Sequence, residues 1–492
     1  MINLIRWAER GLTSVLVMGS VLTAGIHLPG RGMPLIDAAY DGNNAELVEI
    51  LKLGQGADAQ SKAGYTALMA AAYAGNTEGV RLLLAAGADV RLRNSRRETV
   101  LHRLAQADLL YKPWECGMSR EDVAREHWRL EDGLLLAADL LLAAGAEIDA
   151  VDAEEKPPIA YAMLRFPRLV QKLLQSGANP NGRVGEDTTL LMAAAGLRKP
   201  EVTESLLAVA AEVNTAAPKS GRTALHCAVR SGRIIGESDD SARREVVRLL
   251  LEHGANPLLP DAAGWTVLRY VAGMSADAEL LEMIAPHCDK GVDIRDRWGE
   301  TALMSAVRHA PLGGVKALMA AGADVNARDA KGVSVLEHAV KSSREHAADV
   351  VAALLDGGAD FSTETQHRVM IPAAQSARPE VLCLLLERGA DVNLPLQYGS
   401  TLLHYAVSNA NPGVCEVLLA AGADVNRQNE SGMTPLHWAV QGDAKSPKAA
   451  AAELLLRAGA NPRLPDSYGR TPLQLASPDM LKHLQTAGLL QN

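Results

Sequence analysis

Aromatic side chains are scarce in this sequence: 3 % of 492 residues, with two Phe in all. Such a chain has little with which to build a base-stacking platform for single-stranded nucleic acid. It also lacks net positive charge. Lys and Arg number 49 against 58 Asp and Glu, a formal charge of −9. That excludes a strongly cationic nucleic-acid binder, whose affinity comes from neutralising phosphates. Cysteine stands only at 116, 227, 288, 383 and 415. This is too few for a disulfide scaffold, and the spacing offers no C-x-x-C. No His precedes a Glu and no Gly precedes a Lys, so H-E-x-x-H and the P-loop are absent. G-x-S-x-G and G-x-G-x-x-G are missing too. The expectation is no catalytic, cofactor or metal residue, although a site assembled from distant residues would leave no such local mark.

What is abundant is Ala, Leu, Val and Met within a 48 % hydrophobic share. That is too apolar for a disordered chain and suits helices packed at close range. A unit T-x-L-x-x-A recurs, beginning near 33, 66, 99, 157, 189, 223, 266, 301, 334, 368, 401, 434 and 471. Its third position is Leu in eleven of thirteen copies, with Ile159 and Met370 the exceptions. Its sixth is Ala in eleven, with Leu104 and Val271 the exceptions. Gly-Ala-Asp or a near variant follows about 21 residues later, as at Gly87-Ala88-Asp89. Repetition on this scale replaces any count of globular domains from length.

One unit explains its own spacing. Thr401 is placed to cap a helix. Leu403, Ala406 and Val407 repeat at helical intervals, and Asn411-Pro412-Gly413 breaks that helix. Val414, Val417 and Leu418 give a second apolar stripe, which Gly422 ends in the left-handed conformation of a C-cap. A single unit cannot bury its apolar face, so neighbours must stack.

The period near 33 residues and the run Thr434-Pro435-Leu436-His437-Trp438-Ala439 resemble the ankyrin repeat family. Thr223-Ala224-Leu225-His226-Cys227-Ala228 and Thr401-Leu402-Leu403-His404-Tyr405-Ala406 are near matches. The resemblance covers about 32 to 492. It implies an all-α solenoid of about thirteen helix-turn-helix units joined by hairpin-like fingers, and a protein-binding role without catalysis. It also implies that His102, His226, His404 and His437, each fourth in its unit, bridge adjacent loops. Pro157 and Arg368 stand where the capping Thr is expected, and Ala210 where the C-cap Gly is expected, so the fourth, fifth and tenth units should be the least regular. Lys482, His483 and Gln485 should make the last helix a polar terminal cap.

Residues 1–30 lie outside the repeat. Arg6 and Arg10 precede an uncharged apolar run from Leu12 to Ile26, then small residues at Thr23 to Gly25. The pattern predicts a secretory signal peptide or a short membrane anchor, hence an exported, periplasmic or membrane-tethered bacterial protein. The other reading is a cytoplasmic chain whose first helix caps the repeats. Cys383 and Cys415 fall on adjacent second helices, which pack about 8–10 Å apart. A disulfide wants Cα atoms within about 7 Å, so no bridge is expected.

Extra residues appear in the third, sixth and twelfth units, where 46, 31 and 25 residues separate unit start from C-cap Gly. All three are expected between the first and second helices. The longest, about 108–132, holds Trp114, Cys116, His127 and Trp128. Its second half, from Ser119 to Leu130, reads as a separate helix. Its Trp residues serve either as partner anchors or as the small core of that helix. Cys116 and His127 lack the further ligands a metal needs. Arg91, Arg93, Arg96 and Arg97 share one finger and suit an acidic partner, or form a solvated tip. Tyr65, Trp265, Trp298, Tyr398 and Tyr468 flank finger glycines and are binding candidates. Tyr161, Tyr270, Tyr405 and Trp438, fifth in their units, either line a concave surface or pack between repeats.

The sequence thus points to a monomeric protein-binding scaffold or adaptor with no nucleic-acid partner. One alternative is an inhibitor or immunity protein that plugs a basic secreted toxin. A remoter one is an enzyme with its site around 108–132.

Overall fold

The computed structural model describes residues 33–107, 120–230, 240–275, 277–288, 291–342, 344–375 and 379–490. Residues 1–30, Trp114, Cys116 and the first half of the long insertion fall outside them. Side chains of 120–128, Trp128 among them, are also outside the description. The chain divides into two compact units, one up to Glu212 and one from Val213.

In the first unit, helices Pro34–Tyr40, Ala67–Tyr73, Val100–Ala105 and Pro158–Ala162 stack in order. The second helices of the same repeats, Asn44–Lys52, Thr77–Ala85, Arg120–Ala143 and Pro167–Gln175, and Pro200–Ala208 of the next repeat form a second row. The second unit repeats this from Ala224–Val229 and Ser241–Glu252 to Pro472–Leu475 and Pro478–Thr486. Neither unit contains a sheet among the described residues. The fingers carry only isolated bridges, Arg183 with Thr189 and Arg328 with Ser334.

The repeated residues do what their spacing requires. The third-position side chains from Leu35 to Leu436 are at most 2 % exposed, while the terminal Leu473 is half-buried. Full burial of a Leu is worth about 2–3 kcal/mol, so each repeat is held mainly by its neighbours. Small residues set the spacing: all seven residues of helix Ala67–Tyr73 are buried. Thr66 Oγ1 accepts the Met69 N–H at 3.2 Å and closes the first turn. Ser334 and Glu337 cap reciprocally. Ala210 takes the C-cap glycine position at φ +59°, so the fifth unit keeps its turn against about 1–2 kcal/mol of left-handed strain.

Side-chain ladders fix one repeat to the next below the fingers. Asp58 Oδ1 accepts the Asp89 N–H at 2.7 Å. Asn426 Oδ1 accepts the Asn461 N–H, while its Nδ2 donates to Gly459 O. Within each regular finger, the first Asp or Asn closes the turn. Asp296 Oδ1 accepts from Trp298 and Glu300 N–H groups, both at 2.9 Å. These are Asx turns.

Several expectations are corrected. Arg368 caps nothing. It lies inside helix Thr363–Gln375, which begins where a finger stands elsewhere. The Asp-x-x-Gly signal is missing there, and Thr365 Oγ1 donates to Asp360 Oδ2 at 2.6 Å instead. The insertion helix is not a separate satellite. From Arg120 it runs unbroken into the second helix and ends at Ala143, because no Gly or Pro separates the two except Gly133. There the backbone carbonyl accepts from Thr77 Oγ1 at 3.0 Å, and a side chain would come within 3.2 Å of that hydroxyl. In the seventh repeat, helix Val267–Tyr270 continues as a π turn, Val271–Ser275. Gly273 makes room: a Cβ there would lie 2.8 Å from Arg269 Nη1. Residues 441–446 do lie between helices Pro435–Ala439 and Pro447–Arg457, as expected.

Candidate binding surface on the fingers

The fourth-position histidines link first helices to fingers. His102 Nδ1 accepts the Thr99 N–H at 3.1 Å, and Nε2 faces Lys156 O at 2.9 Å. His226, His404 and His437 repeat this toward Trp265, Met433 and Arg470 carbonyls. An Nδ1 that accepts a backbone N–H carries no proton, so the geometry assigns the Nε2–H tautomer to all four. Burial holds these imidazoles neutral and lowers their pKa, against the pull of the carbonyl bond. For His404 the value falls to about 4.

The fifth-position aromatics mainly pack. Tyr161, Tyr270 and Trp438 meet His102, His226 and His404 edge-on at 6.1, 5.6 and 5.3 Å. Tyr270 donates to Asp261 Oδ2 at 2.6 Å. Burial, then that bond, pushes its pKa up to about 12. These tyrosines hold the fingers rather than reach for a ligand.

At Arg269, one of the fourth positions without His, charge takes over. Arg269 reaches Glu300 Oε2 at 2.5 Å and Asp296 Oδ2 at 3.4 Å, and Arg308 forks onto both Glu300 oxygens at 2.9 and 2.7 Å. Burial alone would raise the Glu300 pKa, but the Arg308 bond and charge, with Arg269, leave it lowered. Glu300, Asp329 and His338 offer ligand atoms within 4.8 Å of one another. Two guanidiniums already occupy Glu300, and Asp329 Oδ1 closes its own turn on Lys331 and Val333. The cluster is built as an ion-pair network and opposes a dication. No local motif marks it. Its signal was Arg269 in the histidine position, facing Glu300 after the next finger's glycine.

The candidate residues separate by register. Tyr65 is buried, at 3 % exposure, and is withdrawn as a binding residue. Its carbonyl closes the finger on Ser61 N–H, and its ring lies 5.2 Å from the Arg103 guanidinium. Trp265 is half-buried against Tyr270 and Arg269 at 5.1 and 4.9 Å. Both follow a finger glycine. Trp298, Tyr398 and Tyr468 precede one and are exposed, at 46, 77 and 80 %. Arg93 is also tied down, through Glu147 Oε2 at 2.7 Å and Val151 O. Arg91, Arg96 and Arg97 are exposed. Arg96 and Arg97 occupy a tip that is rigid, since Ser95 N–H donates to Ala63 O and Ala153 N–H to Arg96 O, both at 2.9 Å. No disulfide joins Cys227, Cys288, Cys383 and Cys415 to one another.

This architecture of capped helix pairs, tip-to-tip fingers and loop-bridging histidines agrees with a family model described as ankyrin repeats in three copies. It matches at residues 35–110, 159–261, 238–329, 268–365, 336–429, 369–446 and 403–491. The chain belongs to the ankyrin-repeat family. Among similar ankyrin-repeat chains is the ankyrin repeat and KH domain-containing protein mask-1 of Caenorhabditis elegans, 27 % identical over 277 residues. That match covers 54 % of this chain and 10 % of the relative. The E3 ubiquitin-protein ligase KEG of Arabidopsis thaliana is 27 % identical over 278 residues, covering 53 % and 16 %. Rabankyrin-5 of Mus musculus is 25 % identical over 345 residues, covering 57 % and 29 %. The chain therefore spans less than a third of each of these relatives. Ankyrin repeats mediate protein–protein binding, and the similarity to the relatives lies in the repeats.

Proposed function

We propose that this ankyrin-repeat chain is a non-catalytic adaptor that holds another protein against its finger tips. One observation carries the reading: tips fixed to one another by backbone hydrogen bonds present exposed side chains, aromatic at Trp298, Tyr398 and Tyr468 and cationic at Arg96 and Arg97. Pre-ordered anchors lose little conformational entropy on binding, and aromatic and Arg side chains dominate interface energies. The test compares proteins cross-linked to the full chain with those cross-linked to W298A/Y398A/Y468A, after equal melting curves show both are folded. Loss of the main cross-linked species supports the adaptor reading, and an unchanged set overturns it.

We also infer that residues 1–30 export or tether the chain, on the pattern of Arg6, Arg10 and the run from Leu12 to Ile26. Among the described residues no helix is long and apolar enough to cross a membrane, and 1–30 lie outside them. A reporter active only outside the bacterial cytoplasm, fused after residue 40, should be active with residues 1–30 and silent without them. Silence in both fusions returns the chain to the cytoplasm.

A further inference from the structure

The four fingers of the first unit are ordered by charge. Each closes with the same bond: Ser61 N–H to Tyr65 O, Asn94 N–H to Glu98 O, Asp152 N–H to Lys156 O and Val184 N–H to Thr188 O. The first three also share a left-handed third tip residue, while the fourth turns at Gly185, φ +82°. The tips then read Lys62-Ala63-Gly64, Ser95-Arg96-Arg97, Ala153-Glu154-Glu155 and Gly185-Glu186-Asp187. The first two tips carry only basic side chains, the last two only acidic ones. Lys62, Arg96, Arg97, Glu154, Glu155 and Glu186 are exposed. Backbone bonds Ser95 N–H to Ala63 O and Ala153 N–H to Arg96 O hold the first three tips in line.

Two of these charges sit on backbone that resists them. Arg97 and Glu155 both have φ +60°, in the place where Gly64 stands at φ +78°. A side chain there costs about 1–2 kcal/mol relative to glycine. Neither spends its charge locally. Among the described residues Arg97 and Glu155 make no ion pair, and Glu154 pairs only with Lys156, at 2.6 Å.

A row that is basic at one end and acidic at the other is its own complement. Turned through a two-fold axis between the second and third tips, Arg96 and Arg97 of one copy face Glu154 and Glu155 of the other. Lys62 then faces Glu186 and Asp187. Isologous contacts of this kind are the commonest route to a closed dimer. We propose that the finger edge of the first unit is a self-association surface that pairs two copies of this chain antiparallel through the tips at Arg96-Arg97 and Glu154-Glu155. The inference goes beyond the adaptor reading, because it names a second copy where that reading requires a foreign protein. It also replaces the monomer expected from the sequence.

The test uses the full chain and light scattering at low and high ionic strength. Exposed charges are screened over about 10 Å at 0.1 M salt, so a dimer at low salt should dissociate at high salt. R96E/R97E gives acidic tips throughout the centre of the row, and E154R/E155R gives basic ones. Each alone should be monomeric, with dimer affinity down roughly a hundredfold from like-charge apposition. Mixed, the two should form a heterodimer. All four reversals in one chain should restore the homodimer. Equal melting curves guard against misfolding, and R97E keeps a non-glycine residue at the strained position. A chain that is monomeric at every salt and concentration overturns the proposal. So does a dimer that ignores the reversals, or reversed variants that fail to pair when mixed. The cross-linking readout at Trp298, Tyr398 and Tyr468 is separate, so failure here leaves the adaptor reading standing.

Discussion

The two units build their fingers on one plan and finish the tips differently. In the first unit, the fourth tip position is Gly64, Arg97, Glu155 and Asp187, and charge fills the tips. In the second it is glycine at every regular finger, and aromatic residues stand just before it at Trp298, Tyr398 and Tyr468. The difference lies partly in what the neighbouring finger leaves room for. A Cβ on Gly432 would meet Ser467 N at 2.6 Å, and one on Gly299 would meet Ala330 N at the same distance. Those glycines are required by close approach as well as by φ. Arg97 and Glu155 carry a side chain at the same left-handed φ, at a strain of about 1–2 kcal/mol. Close approach of the next tip thus accounts for Gly299 and Gly432, whereas Arg97 keeps its side chain although Ala153 N–H reaches Arg96 O at 2.9 Å.

Mutations can break this comparison in a graded way. The largest effect should come from the shared frame, which does not depend on tip chemistry. Leu101→Ala in the first unit and Leu303→Ala in the second should each cost about 2–5 kcal/mol, measured by denaturant titration, since both are at most 1 % exposed. A loss below 1 kcal/mol in either would mean that its stack can collapse around the cavity. Acid should come next. His404 has a folded pKa near 4, below the unfolded value of about 6.5. Its contribution is complete above pH 6.5 and drains away as the pH falls toward 4, because only the unfolded chain takes up the proton there. The loss should approach about 3 kcal/mol at 1.36 kcal/mol per unit. His404→Gln should flatten that part of the profile.

Glycine replacements then sharpen the contrast directly. Gly432→Ala combines strain with the 2.6 Å clash and should cost about 2–3 kcal/mol. Gly332→Ala, which meets nothing within 4 Å, should cost about 1 kcal/mol from φ alone. Equal losses would refute the close-approach argument. The smallest effect should have the opposite sign. Arg97→Gly should raise stability by about 1 kcal/mol, since relief of left-handed strain is partly offset by glycine's greater freedom in the unfolded chain, while weakening any low-salt dimer.

The frame was legible because period, cap and core coincide in each unit. Thr66, Leu68 and Ala71 say the same thing as Thr401, Leu403 and Ala406, and the structure uses them alike. Loop-bridging by His102, His226, His404 and His437 came from the family resemblance, and each imidazole has the two partners it needs. What failed was local. Arg368 fits the repeat spacing, yet the preceding residues lack an Asp-x-x-Gly turn, and helix propagation took the finger's place. Ser119 to Leu130 read as a separate helix because spacing cannot show that two helices fuse end to end. A single residue of register separates the exposed aromatic candidates from the buried ones. The chain re-enters the stack immediately after each finger glycine, so Tyr65 and Trp265 turn inward while Trp298 and Tyr468 do not. The side of the glycine, which proximity alone does not mark, decides exposure. Trp114 and the side chain of Trp128 lie outside the described residues.

The finger bonds all run in one sense. Ala153 donates back to Arg96, Ala262 to Ser220, Ala330 to Trp298, Glu430 to Tyr398 and Ser467 to Ser431. In each of these pairs the later tip hands its N–H to a carbonyl of the tip before it. Excising one whole period, such as 301–333, would bring Glu300 to Ser334 and leave every remaining donor facing the same kind of acceptor. The number of repeats is therefore a dimension that the bonding leaves free. A lineage can lengthen or shorten this edge by whole steps, and with it the reach of whatever it holds, without solving the folding problem again.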